Sequence, residues 1–207
     1  MLRHNHGKYQ YQSLSNCFVV DSPKDSYGGI LKADQEQVQI MKRRGGVGFD
    51  ISSIRPSGLR TSNAAKTTDG IGVFMERFSN SCREVAQGGR RGALMLTISV
   101  HHPDIETFIN IKRDLTKVTG ANISIRLTDE FMNAVKEQKD VQLRFPVEKD
   151  AEHIVSTEAS AEKIWDSIIE SAHTSAEPGL LFWDNVLKYT PAQAYADVGF
   201  DTISTNP

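Results

Sequence analysis

Three glycines and two arginines crowd into the six residues Gln87-Gly88-Gly89-Arg90-Arg91-Gly92. Glycines let backbone amides approach a phosphate closely, and an arginine offers it a two-pronged planar donor, so this segment suits a phosphate-bearing ligand. Its spacing matches neither the P-loop nor the dinucleotide fingerprint, and a plain basic loop is the competing reading. A second stretch, Arg55-Pro56-Ser57-Gly58-Leu59-Arg60-Thr61-Ser62-Asn63, joins two arginines to many small polar groups. There a binding loop and an ordinary surface loop stay equally open. Arg43-Arg44-Gly45-Gly46-Val47-Gly48 reads on geometry as a helix stop with a tight turn into a strand.

The two cysteines, Cys17 and Cys82, are too few for a disulfide framework, so each is read singly. Cys17 begins an apolar run, where a thiol could point into a barrel lumen, whereas Cys82 falls in a helical pattern and reads as packing. His101-His102-Pro103-Asp104 and His4-Asn5-His6 carry metal-capable side chains. Adjacent histidines share no helix or strand face, and no cysteine or glutamate cluster accompanies them, so no metal site is expected. The carboxylates are scattered, with no pair placed for glycosidase-type acid and base work.

These residues need a framework, and composition bounds it. Across 207 residues the chain is 39% hydrophobic and 24% charged, which excludes disordered, collagenous and disulfide-stapled classes and suggests one compact domain. No apolar run approaches the roughly 20 residues a membrane helix needs. Met1 to Gly7 lacks an export signal, which makes the cytoplasm the expected compartment and leaves no membrane partner expected. The net charge of −2 hides an asymmetry: residues 1–120 carry 17 basic and 11 acidic side chains, residues 121–207 carry 7 and 15. A basic first half could face phosphate, or could be a solvated helix face.

Strand and helix patterns alternate along the chain. Strands are predicted at 17–20, 47–51, 93–100, 121–127 and 180–184. Helices are predicted after Asp25 or Ser26, with a cationic last turn at Lys42-Arg43-Arg44 and a stop at Gly45, over 70–86 and over 104–113. Two more follow, capped by Thr128 and Ser160. A short side strand is expected at 141–145, and Glu148 to Glu158 reads as an exposed acidic excursion. Such alternation implies parallel strands joined by right-handed crossovers. Strands this apolar ask for cover on both faces, and ligands are expected at their carboxyl ends. About five units are too few for a closed eight-stranded barrel, leaving an open sheet or part of a larger barrel.

Six segments in this order resemble the catalytic subunit of ribonucleotide reductase. They are Ser13-Leu14-Ser15-Asn16-Cys17-Phe18-Val19; Arg44-Gly45-Gly46-Val47-Gly48-Phe49-Asp50 with Ile54-Arg55-Pro56; Gln87 to Ala93; His102-Pro103-Asp104-Ile105; Glu177-Pro178-Gly179-Leu180; and Ser204-Thr205-Asn206-Pro207. The resemblance implies a fold: an α/β five-stranded parallel half of a ten-stranded α/β barrel, with residues 1–207 forming one partial domain before the finger loop of the radical cysteine. In that family a thiyl radical takes the hydrogen from C3′ of the ribose, water leaves from C2′, and a cysteine pair supplies two electrons. Cys17 matches the first member of that pair and Asn206 the residue that hydrogen-bonds the ribose, which makes these two the catalytic candidates. Asn16, Cys17, Gly46 and Asn206 stand where the family contacts substrate. A close backbone contact at Gly46 thus competes with the turn reading.

The same resemblance implies a separate site for a nucleoside triphosphate effector (a dNTP or ATP). Asp25 matches the acidic residue that meets the effector ribose, with one residue more between it and Cys17 than the family pattern has. Arg55 and Arg60 lie in the phosphate-binding loop, and Gln87 and Arg91 in the loop that passes effector identity to the substrate. Met41-Lys42-Arg43-Arg44 and Glu84-Val85-Ala86-Gln87 look most like the adenosylcobalamin-dependent class, with the cobalamin contacts outside this chain. Implied partners are a ribonucleotide, with diphosphate and triphosphate left open; thioredoxin or glutaredoxin as reductant; the remaining half of the barrel; and a second copy in a homodimer. No direct nucleic-acid contact is implied. The expectation is a piece of a ribonucleoside-diphosphate reductase serving DNA synthesis, inactive alone. The competing reading is a stand-alone nucleotide-binding or regulatory module.

Overall fold

A computed structural model of the chain describes residues 15–85 and 92–207. In chain order the elements are β1 (Cys17–Val19), α1 (Tyr27–Met41), β2 (Gly46–Asp50), α2 (Ile71–Glu84), β3 (Leu94–Ser99), α3 (Ile105–Asn110), β4 (Asn122–Leu127) and α4 (Asp129–Glu137). They continue with β5 (Asp140–Phe145), β6 (Val155–Ser160), α5 (Ala161–Ser175), β7 (Gly179–Phe182) and α6 (Trp183–Tyr189). β1, β2, β3, β4 and β7 form one parallel sheet in that order. Each strand therefore pairs with the next strand of that sheet, with β5 and β6 standing apart between β4 and β7. Successive helices pack on their neighbours, α1 on α2, α2 on α3 and α3 on α5. This is the arrangement expected of a five-stranded half of an α/β barrel.

The strands alternate, and that alternation creates the site. Val47 and Phe49, Leu94, Leu96 and Ile98, and Ile123, Ile125 and Leu127 are buried in one cluster with Met41, Phe78, Phe108 and Ile164 of the helices. The residues between them, Gly46, Gly48 and Asp50, Thr97 and Ser99, Ser124 and Arg126, must face the opposite way. The sheet thus has one apolar face covered by helices and one mixed face, where Val19, Met95 and Leu181 stand among small and polar groups.

Helix starts follow side-chain chemistry. Ser26, Thr128 and Ser160 accept hydrogen bonds from the backbone N–H groups of Gly29, Phe131 and Lys163 at 3.1, 3.1 and 3.3 Å, satisfying donors that the first helical turn leaves open. The stop of α1 differs from expectation. The left-handed residue is Arg44, at φ 71°, and the helix ends at Met41, before the cationic run. Gly45 is small for another reason: a Cβ there would stand 2.5 Å from Ile40 Cγ2 and 3.0 Å from the Phe18 ring.

Two further readings are revised. The acidic excursion contains a strand, β6, paired antiparallel with the expected side strand β5. Its side chains are largely exposed, so it lacks the apolar alternation that would mark it. The strand predicted at 180–184 stops at Phe182, because Trp183 turns inward as the first residue of α6 and is 8% exposed.

Candidate functional site

Parallel register lines up residues of the polar face in rows across the sheet. Cys17 pairs with Gly46, and Asp50 lies beside Thr97, which lies beside Ser124. Over these rows runs the segment 203–207. Arg126 Nη1 donates to the Ile203 carbonyl at 3.2 Å, and the Ser204 and Thr97 hydroxyls are 2.9 Å apart. A Cβ at Gly48 would stand 1.9 Å from the Thr205 carbonyl oxygen and 2.9 Å from Asn206 Cα. One at Gly46 would meet Pro207 Cγ at 2.9 Å and Cys17 Sγ at 3.1 Å. The segment therefore descends antiparallel to the strands, from their carboxyl ends towards their amino ends, and finishes beside Cys17. At Gly48 a second backbone layer leaves no room for a side chain, and at Gly46 the side chains of Pro207, Cys17 and Ala93 fill the space.

Four predicted residues thus converge at the amino end of the sheet. Gly46 donates its N–H to the Asn16 carbonyl at 2.7 Å, which fixes Asn16 and Cys17 against β2. Cys17 is a half-buried free thiol. Gly46 is not in the left-handed region, so no turn demands a glycine there; a Cβ would be crowded by Pro207, Cys17 and Ala93. This set sits where β1 and β2 begin, away from the carboxyl ends of the strands.

Sequence reasoning missed the polar network behind this convergence. Asp50, 4% exposed, accepts from the Ser52 N–H and the Thr97 hydroxyl, each at 3.0 Å, and pairs with Arg126 Nε at 3.0 Å. Burial pushes the Asp50 carboxyl above its ordinary value of 3.8, partly offset by Arg126 and by the hydrogen bonds from Ser52 and Thr97. The Arg126 guanidinium lies 4.7 Å from the Trp183 ring centroid, a cation–π contact. The available signal was the alternation itself. Gly-Val-Gly-Phe-Asp, Leu-Met-Leu-Thr-Ile-Ser and Asn-Ile-Ser-Ile-Arg-Leu each place small or polar residues on one face.

The other predicted cluster lies at the opposite end of β2, some four residues or about 13 Å along the strand. Arg55 Nε donates to both Asp25 oxygens at 3.1 and 2.9 Å, its backbone N–H donates to Oδ1 at 3.1 Å, and its Nη1 donates to the Arg60 carbonyl at 2.5 Å. Asp25, Arg55 and Arg60 are therefore brought together. Their loop is pinned from below by the His102-Pro103-Asp104 motif. His102 Nδ1 accepts from the Asp104 N–H at 3.0 Å, so its Nε2 carries the proton and donates to the Ile54 carbonyl at 2.9 Å. The Asp104 carboxylate accepts from the backbone N–H groups of Ser57 at 3.0 Å and Ile71 at 3.2 Å.

Gln87 and Arg91 lie outside the described residues. His101 turns away from His102, to the Gln142 carbonyl at 3.0 Å and the Thr128 hydroxyl at 2.8 Å. Burial holds both imidazoles below the ordinary histidine value of 6.5. Cys82 is buried on α2, and burial pushes its thiol up to about 11. Among the described residues no group of three or more His, Cys, Asp or Glu could hold a metal, and no helix is long and apolar enough to cross a membrane.

A parallel sheet with helices on one face, and a thiol, bare glycines and a crossing segment on the other, is a wall of an α/β barrel with an inward-facing site. The chain belongs to the ribonucleotide reductase family: residues 15–203 match the family model for the ribonucleotide reductase barrel domain. It is 34% identical over 196 residues to a vitamin B12-dependent ribonucleoside-diphosphate reductase of Thermoplasma acidophilum, covering 94% of this chain and 24% of that protein. A Mycobacterium tuberculosis protein of the same name is 31% identical over 180 residues, covering 86% of this chain and 25% of that protein. The ribonucleoside-diphosphate reductase large subunit of Monkeypox virus is 26% identical over 225 residues, covering 97% and 29%. The chain thus spans about a quarter of the length of these relatives.

Proposed function

We propose that this chain forms the substrate-side wall of a ribonucleoside-diphosphate reductase, with Cys17 as one thiol of the pair that reduces the ribose. The observation that carries this reading is the convergence of Cys17, Gly46 and the Asn206-Pro207 segment, drawn from opposite ends of the chain onto one patch. In the reaction a ribonucleotide and two thiols give a deoxyribonucleotide, a disulfide and water. Cys17 contributes one sulfur, the Asn206 amide holds the ribose, and backbone groups of Asn16 and Gly46 line the floor. The second thiol is not Cys82, whose high pKa leaves little thiolate for disulfide exchange and whose side chain belongs to the helical core. It comes from elsewhere in the complete protein, as do the thioredoxin or glutaredoxin docking surface, the other half of the barrel and the second subunit of a dimer.

Adenosylcobalamin is the proposed radical source, following the names of the B12-dependent relatives. The inner-face groups Asp50, Thr97, Arg126 and Ser204 are bonded to one another. Among the described residues they make no cradle for a corrin. A dNTP or ATP effector is assigned to Asp25, Arg55 and Arg60, with Gln87 and Arg91 in the adjoining loop. Asp25 accepts three hydrogen bonds from Arg55, and a carboxylate with about four acceptor positions retains one for a ribose hydroxyl.

Two measurements on the complete protein test these assignments. Given adenosylcobalamin, an external dithiol and ribonucleoside diphosphates, the wild type should form deoxyribonucleotides and Cys17→Ser should not sustain turnover. Absence of reduction by the wild type, or full turnover by Cys17→Ser, contradicts the reading. Calorimetric titration with dNTPs and ATP should give saturable binding that Arg55→Ala weakens, and unchanged binding removes the effector assignment.

A further inference from the structure

Asp50 lies some four residues along β2 from Cys17 and Gly46, yet a hydrogen-bonded path and an ion-paired path connect it to the segment that carries Asn206. The first runs through Thr97. Its single hydroxyl proton goes to the Asp50 carboxylate, so the Ser204 hydroxyl must be the donor in the 2.9 Å bond to Thr97. The second runs through Arg126, which pairs with Asp50 and donates to the Ile203 carbonyl. Trp183 covers the guanidinium from its other side, and Ser52 Oγ accepts from Nη2 at 3.3 Å. One buried carboxylate thereby orients both groups that grip residues 203 and 204. Asn206 follows two residues later, on the bare backbone of Gly48.

We propose that Asp50 is a positioning residue that sets the register of residues 203–206 on the inner face through Thr97 and Arg126, and so places Asn206. Its kinetic consequence rests on the reading of Asn206 as a substrate contact, whereas its structural consequence does not. Among the described residues, neither Asp50 nor Thr97 bonds to Cys17 or Gly46, and both meet that patch through the crossing segment.

Crystal structures and steady-state kinetics of the complete protein, with Thr97→Val and Thr97→Ser compared, test this. Valine keeps the shape and removes the hydroxyl, whereas serine retains it. In Thr97→Val residues 203–206 should shift by about 1 Å or lose defined density, since the acceptor of the 2.9 Å bond from Ser204 is gone, while β2, β3 and β4 superpose on the wild type. kcat should fall alongside, and Thr97→Ser should restore both. Asp50→Asn should release the same segment, and if it fails to fold, the Thr97 pair still decides. An unchanged position of residues 203–206 in Thr97→Val, equal displacement throughout the sheet, or no rescue by Thr97→Ser overturns the proposal. A wild type that reduces no ribonucleotide would remove the proposed function, and the structural comparison would still judge this inference.

Discussion

Replacing Gly48 by alanine puts a methyl where the crossing segment lies. The new Cβ would stand 1.9 Å from the Thr205 carbonyl oxygen, 2.8 Å from its carbon and 2.9 Å from Asn206 Cα, against an ordinary contact of 3.4 Å or more. All three atoms are backbone, so no rotamer change relieves the clash, and the segment must retreat by about 1.5 Å. Retreat on that scale stretches the 2.9 Å Ser204–Thr97 bond and the 3.2 Å Arg126–Ile203 bond beyond hydrogen-bonding range. Two such bonds at about 0.5–1.5 kcal/mol each set the expected loss of stability at about 1–3 kcal/mol. Lifting the segment limits the strain to this amount but misplaces Asn206. A misplacement of about 1 Å costs on the order of a hundredfold in turnover. Urea unfolding and steady-state turnover of the complete protein measure the two effects. Gly28→Ala is the matched control. Its Cβ meets only Ser26 Oγ at 4.0 Å, within the first turn of α1, and it should stabilise by up to about 1 kcal/mol. A Gly48→Ala protein with wild-type midpoint and turnover would refute the reasoning.

Stability should fall as the pH drops below about 6.5. Buried His101 and His102 have folded pKa values below the ordinary 6.5, so the unfolded chain takes up protons first, and each contributes a slope of up to about 1.4 kcal/mol per pH unit. Asp50, raised by burial, has the opposite sign and offsets part of this where it titrates, one group against two histidines, and Glu130, held low chiefly by its hydrogen bonds to Arg144, acts only below the usual carboxylate range. Urea midpoints between pH 8 and 5.5 check this, and a flat profile contradicts it. Asp104→Ala should leave the Ser57 and Ile71 amides without their acceptor, costing about 1–3 kcal/mol, and should loosen the loop that carries Arg55 and Arg60. Unfolding curves with limited proteolysis of residues 56–70 follow both effects, and wild-type resistance would show that the loop is held otherwise.

Much of the fold was legible because strand and helix periods are strong here. The five sheet strands, their parallel pairing and the caps Ser26, Thr128 and Ser160 were all read from pattern. β6 was not, since its exposed residues carry no alternation, and neither was the helical turn at Trp183, whose apolar run looks like continued strand. The network of Asp50, Thr97, Arg126 and Ser204 joins positions up to 154 residues apart, and no local spacing reports such a contact. The return of residues 203–207 down the sheet face to the amino ends of β1 and β2 was missed for a related reason. The usual rule concerns sheets whose ligands sit on loops, whereas here a returning segment brings the partner groups down the sheet face.

The most direct test of Cys17 as a reducing thiol is a single turnover without external reductant. The complete protein, reduced and freed of dithiol, is mixed with adenosylcobalamin and a ribonucleoside diphosphate, quenched, alkylated and mapped by mass spectrometry. Each equivalent of deoxyribonucleotide should be matched by one Cys17 lost to alkylation and recovered in a disulfide, with Cys82 unchanged. Product formed while Cys17 stays fully alkylatable would contradict the account.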